Sequence, residues 1–297
     1  MDELNTWKKA AKIAGEALEF GAGLIKENVL LIDVTKKIED FILSKNAKAG
    51  FPVQISINSI AAHYTSYPGD ETRFKVGDLV KLDLGAHIDG YIGDTAKTIE
   101  IKTNNNKDLI KASEEALNAA IETVKPGVQL KKIGKVVNDV IESYGFVSIK
   151  NLSGHTVERY SLHAGLSIPN YDNGDNTTLK ENQVIAIEPF ASTGSGFIKE
   201  GKPSTNYRLV RLKNVRDSST REVLGYIAEE IKTVPFSKRQ LCEKFSPFKV
   251  NLALRNLEKE GLIDCYPQLP EKKDGSFVSQ KEHTILVKEE PIILTKV

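Results

Sequence analysis

The sequence predicts an α+β fold built from two similar halves, with a small helical unit interrupting it near the C-terminal end. Two successive blocks of roughly 100 residues each read helix, helix, strands, the pattern of a pseudo-duplicated domain. Within each block the apolar spacing switches from three- and four-residue steps to short β-rich runs. Residues 218–263 then read as mostly helical before β character returns.

The first helix is predicted from Leu4 to about Lys26, where Trp7, Ala10, Ala11, Ile13, Ala14, Leu18 and Leu24 recur at helical steps. A second starts near Thr35 with Ile38, Phe41, Ile42 and Leu43. Strands follow over Val53–Ile57, Leu79–Leu84 and Tyr91–Ile101, parted by Pro68-Gly69-Asp70 and Asp89-Gly90. The second block repeats the order: helices over Lys107–Thr123 and Leu130–Tyr144, parted by Pro126-Gly127, then β-rich sequence from Phe146 to Ile198. Helices over Arg221–Ile231, Lys238–Phe245 and Lys249–Glu260, stopped by Gly261, form the insertion. Strands at His283–Val287 and Ile292–Leu294 rejoin the main sheet, so residues 1–200 and 265–297 are expected to form one domain and 201–264 an inserted one.

Composition narrows the function. The 297 residues carry 41 Lys and Arg against 40 Asp and Glu, a net charge of +1, so nothing draws the whole chain to nucleic acid or an anionic membrane. No run approaches the ~18 apolar residues of a membrane helix. The start, Met1-Asp2-Glu3-Leu4, is acidic and then amphipathic, which argues against a secretory signal and for the cytoplasm. Cys242 and Cys265 have no metal-ligand spacing and read as two reduced thiols.

The chemistry concentrates in Leu82-Asp83-Leu84-Gly85-Ala86-His87-Ile88-Asp89-Gly90-Tyr91-Ile92-Gly93-Asp94. A two- or four-residue hairpin loop centred on Asp89-Gly90 makes opposed positions sum to 179, and Asp83 and Asp94 become diagonal neighbours on one face, with Cα atoms about 7 to 8 Å apart. A three-residue loop puts them on opposite faces. Among apolar neighbours, such carboxylates must be protonated, paired or metal-bound. The bland alternative is two solvent-facing aspartates. His155, Glu188 and Glu282 also stand in or beside apolar β-like runs, and a lone buried histidine is commonly a satisfied core residue. Together these residues offer one imidazole and four carboxylates, a donor set for divalent ions rather than a structural zinc site.

The sequence resembles the type 2 methionine aminopeptidases in their compact archaeal form, over essentially the whole chain. Eight segments match in order: Phe51-Pro52, Asn58-Ser59-Ile60-Ala61-Ala62-His63-Tyr64-Thr65, Lys81-Leu82-Asp83-Leu84-Gly85, Gly93-Asp94-Thr95-Ala96, Asn151-Leu152-Ser153-Gly154-His155, His163-Ala164-Gly165, Ile187-Glu188-Pro189-Phe190 and Glu282-His283-Thr284-Ile285-Leu286. The resemblance implies the pita-bread fold, a pseudo-twofold curved antiparallel sheet under two helix pairs, with a winged-helix-like insertion. It implies that Asp83, Asp94, His155, Glu188 and Glu282 ligate two divalent ions (cobalt, manganese, iron(II) or zinc), Asp94 and Glu282 serving both. His63 and His163 are implied to contact the scissile peptide, and Phe51, Leu162 and Tyr266 to line the methionine pocket. Lys281 departs from the pattern, an apolar or aromatic residue being expected there, and is expected to point to the opposite face.

By this resemblance the activity is removal of the initiator methionine from nascent chains with a small second residue, in a monomer, with a possible meeting point at the ribosome. With Asp2, this chain is then expected to retain Met1. Prolidases, aminopeptidase P and creatinase share the fold, but the first two carry an acidic residue where this chain has Ala164, and they lack the insertion. Type 1 methionine aminopeptidases lack it too. Non-catalytic proliferation-associated relatives keep fold and insertion but lose ligands that are present here. The helix-turn-helix look of Pro235–Gly261 does not make a DNA reader, since Lys249, Arg255 and Lys259 face Glu258 and Glu260 for a net +1. Trp7 reads as a packing residue, His87 as surface, and His283 as facing away from Glu282.

Overall fold

The computed structural model describes residues 3–297; Met1 and Asp2, on which the expectation of methionine retention rests, lie outside the described residues. The first half holds α1 (Glu3–Leu24), α2 (Leu31–Ser44), β1 (Lys48–Ile57), β2 (Ile60–Ala62), β3 (Leu79–Ile88) and β4 (Tyr91–Glu100). The second holds α3 (Lys107–Thr123), α4 (Leu130–Ser143), β5 (Val147–Ser148), β6 (Ser153–Thr156), β7 (Ser167–Pro169), β8 (Val184–Ile187) and β9 (Phe190–Ser192). The insertion contributes β10 (Pro203–Leu209), α5 (Ser218–Tyr226) running into a π-helical turn (Ile227–Ile231), β11 (Phe236–Ser237), α6 (Lys238–Lys244), α7 (Pro247–Lys259) and β12 (Ile263–Pro267). β13 (Leu269–Pro270), β14 (Val278–Gln280), β15 (Glu282–Leu286) and β16 (Ile292–Ile293) complete the chain.

Eight strands form the central antiparallel sheet in the order β1-β3-β4-β15-β8-β6-β7, with β16 beside β15. α1 and α2 cover one half and α3 and α4 the other, which is the pita-bread arrangement. α2 buries Leu31, Val34, Ile38 and Ile42, one stripe at helical spacing, against Val53, Ile55, Leu82 and Leu84. α4 does the same with Leu130, Ile133, Val137 and Ile141 against Ile168, Ile185 and Ile285. Neither helix has a side-chain N-cap. A cap is worth about 1 kcal/mol, whereas each fully buried aliphatic side chain contributes roughly 1.5–3 kcal/mol, so the stripe decides where these helices form. It also explains why α2 begins at Leu31, four residues ahead of the expected start.

The hairpin has the two-residue loop. Ile88 pairs with Tyr91, and Asp89 (φ 49°) and Gly90 (φ 84°) both take the left-handed conformation that this turn demands. α1 lies directly on β4: a Cβ at Gly93 would fall 2.2 Å from the Ala11 Cα, so only glycine permits that approach. Trp7 packs as expected, its indole N–H donating to the Ile92 carbonyl at 2.6 Å. His87 corrects the reading: it is buried rather than at the surface, because the tight turn folds the Gly90 N–H back onto its Nδ1 at 3.0 Å.

The insertion has its own core, with Val223, Leu224 and Ile227 packed on Leu241, Val250, Leu254 and Leu257. Asp217 caps α5, Ser237 and Gln240 form a capping box on α6, and Ser246 with Pro247 starts α7. The Asp217 cap moves the first of these helices ahead of its expected start at Arg221. The helices are framed by a three-stranded sheet, β11-β10-β12, that periodicity did not reveal. Both cysteines are free. Among the described residues no helix is long and apolar enough to cross a membrane.

Candidate metal centre and substrate cleft

Sheet register brings the acidic residues together. Gly85 pairs with Asp94 and Asp83 with Ala96, so opposed positions sum to 179 and the two aspartates share a face. On the other side of β4, Glu282 also pairs with Ala96. His155 of β6 pairs with Ala186 of β8, and Glu188 follows β8 directly. Five residues from five segments thus meet on one face at the middle of the sheet. Asp94, His155 and Glu282 each offer a ligand atom within 4.8 Å of the others. The His155 Nε2 lies 3.5 Å from an Asp94 oxygen and 3.9 Å from a Glu188 oxygen.

The electrostatics of this cluster are unbalanced without a cation. Burial first, and mutual repulsion second, push the carboxyls of Asp94, Glu188 and Glu282 well above the usual range. Burial lifts Asp83 to about 7, against a hydrogen bond from Gln280. His155 is held down to about 3, mainly by burial. One oxygen of Asp83 and one of Asp94 are buried with no hydrogen-bond partner. Such orphaned acceptors are costly to the fold unless something positive meets them. Divalent cations fit this all-oxygen-plus-imidazole set.

Further contacts hold the donors in place, and the sequence reading missed them. Gln280 Nε2 donates to Asp83 at 3.2 Å. Thr284 Oγ1 accepts from the Asp94 N–H at 2.7 Å and bonds the Asp94 carbonyl at 2.8 Å, while Thr95 donates to the Glu282 carbonyl. Gln280 stands two residues before Glu282, and strand parity was the available signal for it. Lys281, between them, points to the far side of the sheet, 3.8 Å from Glu114 on α3.

Over the cluster opens a cavity of about 280 Å³. Phe51, His63, Leu162, His163 and Tyr266 all line it, as do Asn206 and Pro235 of the insertion. His63 sits at φ 70°, its backbone N–H tied to Gln54 at 2.7 Å. Its Nδ1 is 3.0 Å from the Pro267 carbonyl. A carbonyl there requires a proton on Nδ1, which leaves Nε2 as an acceptor. Burial drops His63 to about 4, so the ring is neutral near pH 7. The His163 ring is exposed to the cleft, 4.4 Å from that of His155, and its pKa is lowered by the surrounding protein and then by Arg208. His283 faces away, bonded to Thr295 at 2.8 Å.

Comparison with known proteins gives the family. The family model of metallopeptidase family M24 matches residues 5–289. The chain is 46% identical to the methionine aminopeptidase of Pyrococcus abyssi, over 97% of each chain. Among solved structures, a thermophilic Arx1 superposes with a TM-score of 0.88 over all of this chain and 91% of that one, at 20% identity, a likeness of fold alone. Methionine aminopeptidase from Thermotoga maritima gives 0.71 at 25% identity, over 99% and 97% of the two chains. With a family match over nearly its whole length and a buried carboxylate and histidine cluster suited to divalent ions, the chain belongs to metallopeptidase family M24, among the methionine aminopeptidases.

Proposed function

We propose that this protein hydrolyses the peptide bond after an N-terminal methionine when the second residue is small. The observation that carries the reading is a metal-ready donor cluster at the foot of a cleft walled by Phe51, Leu162 and Tyr266. Asp83, Asp94, His155, Glu188 and Glu282 are the residues that would hold two divalent ions, with Asp94 and Glu282 shared. When bound, such ions would lower the pKa of water by many units, to about 7, and draw electron density from a carbonyl oxygen.

The remaining steps belong to the side chains. Glu188, at the edge of the cluster and partly open to the cleft, accepts a proton as water adds to the scissile carbonyl and returns one to the departing amine. His163 donates towards the developing oxyanion. His63, neutral and with Nε2 as acceptor, takes the N–H of the scissile amide and holds it in line. The cavity accepts an unbranched thioether side chain, and the Asn206 and Pro235 wall of the 201–264 insertion limits the size of the second substrate residue. The substrates are nascent chain termini, met at the ribosome in the cytoplasm by a monomer.

The test compares Met-Gly-Ser with Met-Lys-Ser, with and without a chelator, for wild type and Asp94→Ala. Methionine released from the first peptide only, and abolished by chelation and by the substitution, is the expected result. Full turnover under chelation would remove the metal from the reading, preference for Xaa-Pro peptides would move the activity to aminopeptidase P, and no cleavage with any metal would favour a binding role.

A further inference from the structure

Tyr160 takes φ 59°, a left-handed conformation that a bulky L-residue adopts only when its surroundings impose it. It lies three residues before His163, in the loop that joins β6 to β7. Its backbone N–H donates to the Gly90 carbonyl at 2.8 Å, and its hydroxyl donates to Asp89 at 2.8 Å. The same hydroxyl accepts from Lys232 at 2.8 Å, with the ammonium 4.0 Å over the ring. Thr233 donates to the Tyr160 carbonyl at 2.5 Å. A Cβ at Gly90 would fall within 2.4 Å of the ring, so the turn itself is shaped to receive it. Arg159 adds a bond from its Nε to the Asp89 carbonyl at 2.9 Å.

Lys232 is itself in a rare conformation, φ 64° and ψ −123°, at the end of the π-helical turn of the insertion. Two strained residues from distant parts of the chain therefore hold each other. One leads within three residues to Leu162 and His163, and the other leads within three residues to Pro235, all of which line the cleft. Backbone strain is retained where the surroundings over-determine it, and such positions cluster at functional sites.

We infer that Tyr160, latched between Asp89 of the β3–β4 turn and Lys232 of the insertion, is a positioning residue that fixes the His163 imidazole against the scissile peptide. The inference rests on the reading of His163 given above. The latch carries no charge into the cleft; it sets where the loop stands.

Steady-state kinetics on Met-Gly-Ser, with metal content measured in parallel, test it in Tyr160→Phe, Lys232→Met, Lys232→Arg, His163→Ala and the Tyr160→Phe/His163→Ala pair. Tyr160→Phe and Lys232→Met are expected to lower kcat about tenfold, since small misplacements far from the chemistry carry costs of that order or more. KM stays within about twofold, metal stoichiometry is unchanged, and Lys232→Arg restores most of the rate. On the His163→Ala background Tyr160→Phe has no further effect. An unchanged kcat in Tyr160→Phe beside an impaired His163→Ala overturns the latch alone, as does an equal loss on both backgrounds. A fully active His163→Ala overturns the reading of His163 itself.

Discussion

Asp83 and Glu282 flank a single residue: Ala96 is the register partner of Asp83 on β3 and of Glu282 on β15. Register partners in an antiparallel sheet carry their side chains on one face, so only a buried methyl group separates these two carboxylates laterally.

If these carboxylates hold metal as proposed, that methyl sets the spacing between two of the ligands. Ala96→Val adds two carbons where both carboxylates must turn inwards, and overpacking of this kind costs about 1–3 kcal/mol. The expected outcome is a fall in metal affinity of at least about tenfold, with chelated wild type and chelated variant unfolding within a few degrees of each other. Isothermal titration with manganese and a melting curve in chelator measure the two effects separately; equal affinities would show that the floor does not constrain the site.

The acidic cluster makes stability depend on the cation. Ligand at 100 times its dissociation constant stabilises by about 2.7 kcal/mol, which for a chain of this size raises Tm by roughly 4 °C. In chelator, Asp94→Asn should melt no lower than wild type, because it removes a buried carboxyl with an orphaned oxygen. With metal added, only wild type should gain. A variant that melts far below wild type in chelator would show that Asp94 stabilises the fold without a cation.

Gln280 anchors Asp83 from behind the cluster. Losing such an outer partner typically costs 10–100-fold in metal affinity or activity. Gln280→Leu is therefore expected to lower metal affinity within about that range and to leave KM for Met-Gly-Ser, measured at saturating metal, near wild type. An unchanged affinity by metal titration counts against the role.

How much of this was legible depended on how local each signal was. The Asp89-Gly90 turn, and with it the shared face of Asp83 and Asp94, followed from strand parity once the loop length was chosen. The helical stripes of α2 and α4 were readable because period 3.6 is written in the chain itself. The insertion of β15 between β4 and β8 was not readable, since pairing across nearly 190 residues leaves no local mark. The resemblance named Glu282 as a ligand, but nothing in the composition located Gln280 or the Tyr160–Lys232 contact. His87 read as surface because it neighbours a turn, yet the turn folds over it.

The buried His87 has a consequence for acid stability. Burial first, then the nearby Lys48, lower its pKa from 6.5 to about 4, against a smaller opposing pull from Asp89. The neutral ring accepts the Gly90 N–H, so the native state resists protonation while the unfolded chain takes up a proton below its own pKa of about 6.5. Its contribution is therefore complete above that pH, lost as pH falls towards 4, and constant below. The loss is at most roughly 3 kcal/mol, at 1.36 kcal/mol per unit. His87→Gln should flatten the decline of chemical-denaturation midpoints between pH 6.5 and 4; a parallel decline in both proteins would assign it to other groups.

The proposed pocket for the terminal side chain puts a glycine behind its Phe51 wall. At Gly85 a Cβ would meet the Phe51 ring at 2.6 Å and the Gly93 carbonyl at 3.0 Å. The carbonyl belongs to the hairpin and cannot retreat, so in Gly85→Ala the ring is the group that moves, into the cavity it lines. A displaced wall in an apolar pocket changes binding by about 1–3 kcal/mol, and KM for Met-Gly-Ser should rise about tenfold or more. Asp94, a proposed ligand, pairs with residue 85 through backbone bonds that alanine retains, so metal stoichiometry is expected to stay at the wild-type value. A loss of kcat and metal with KM unchanged would instead mean that the hairpin gave way and that Phe51 kept its place.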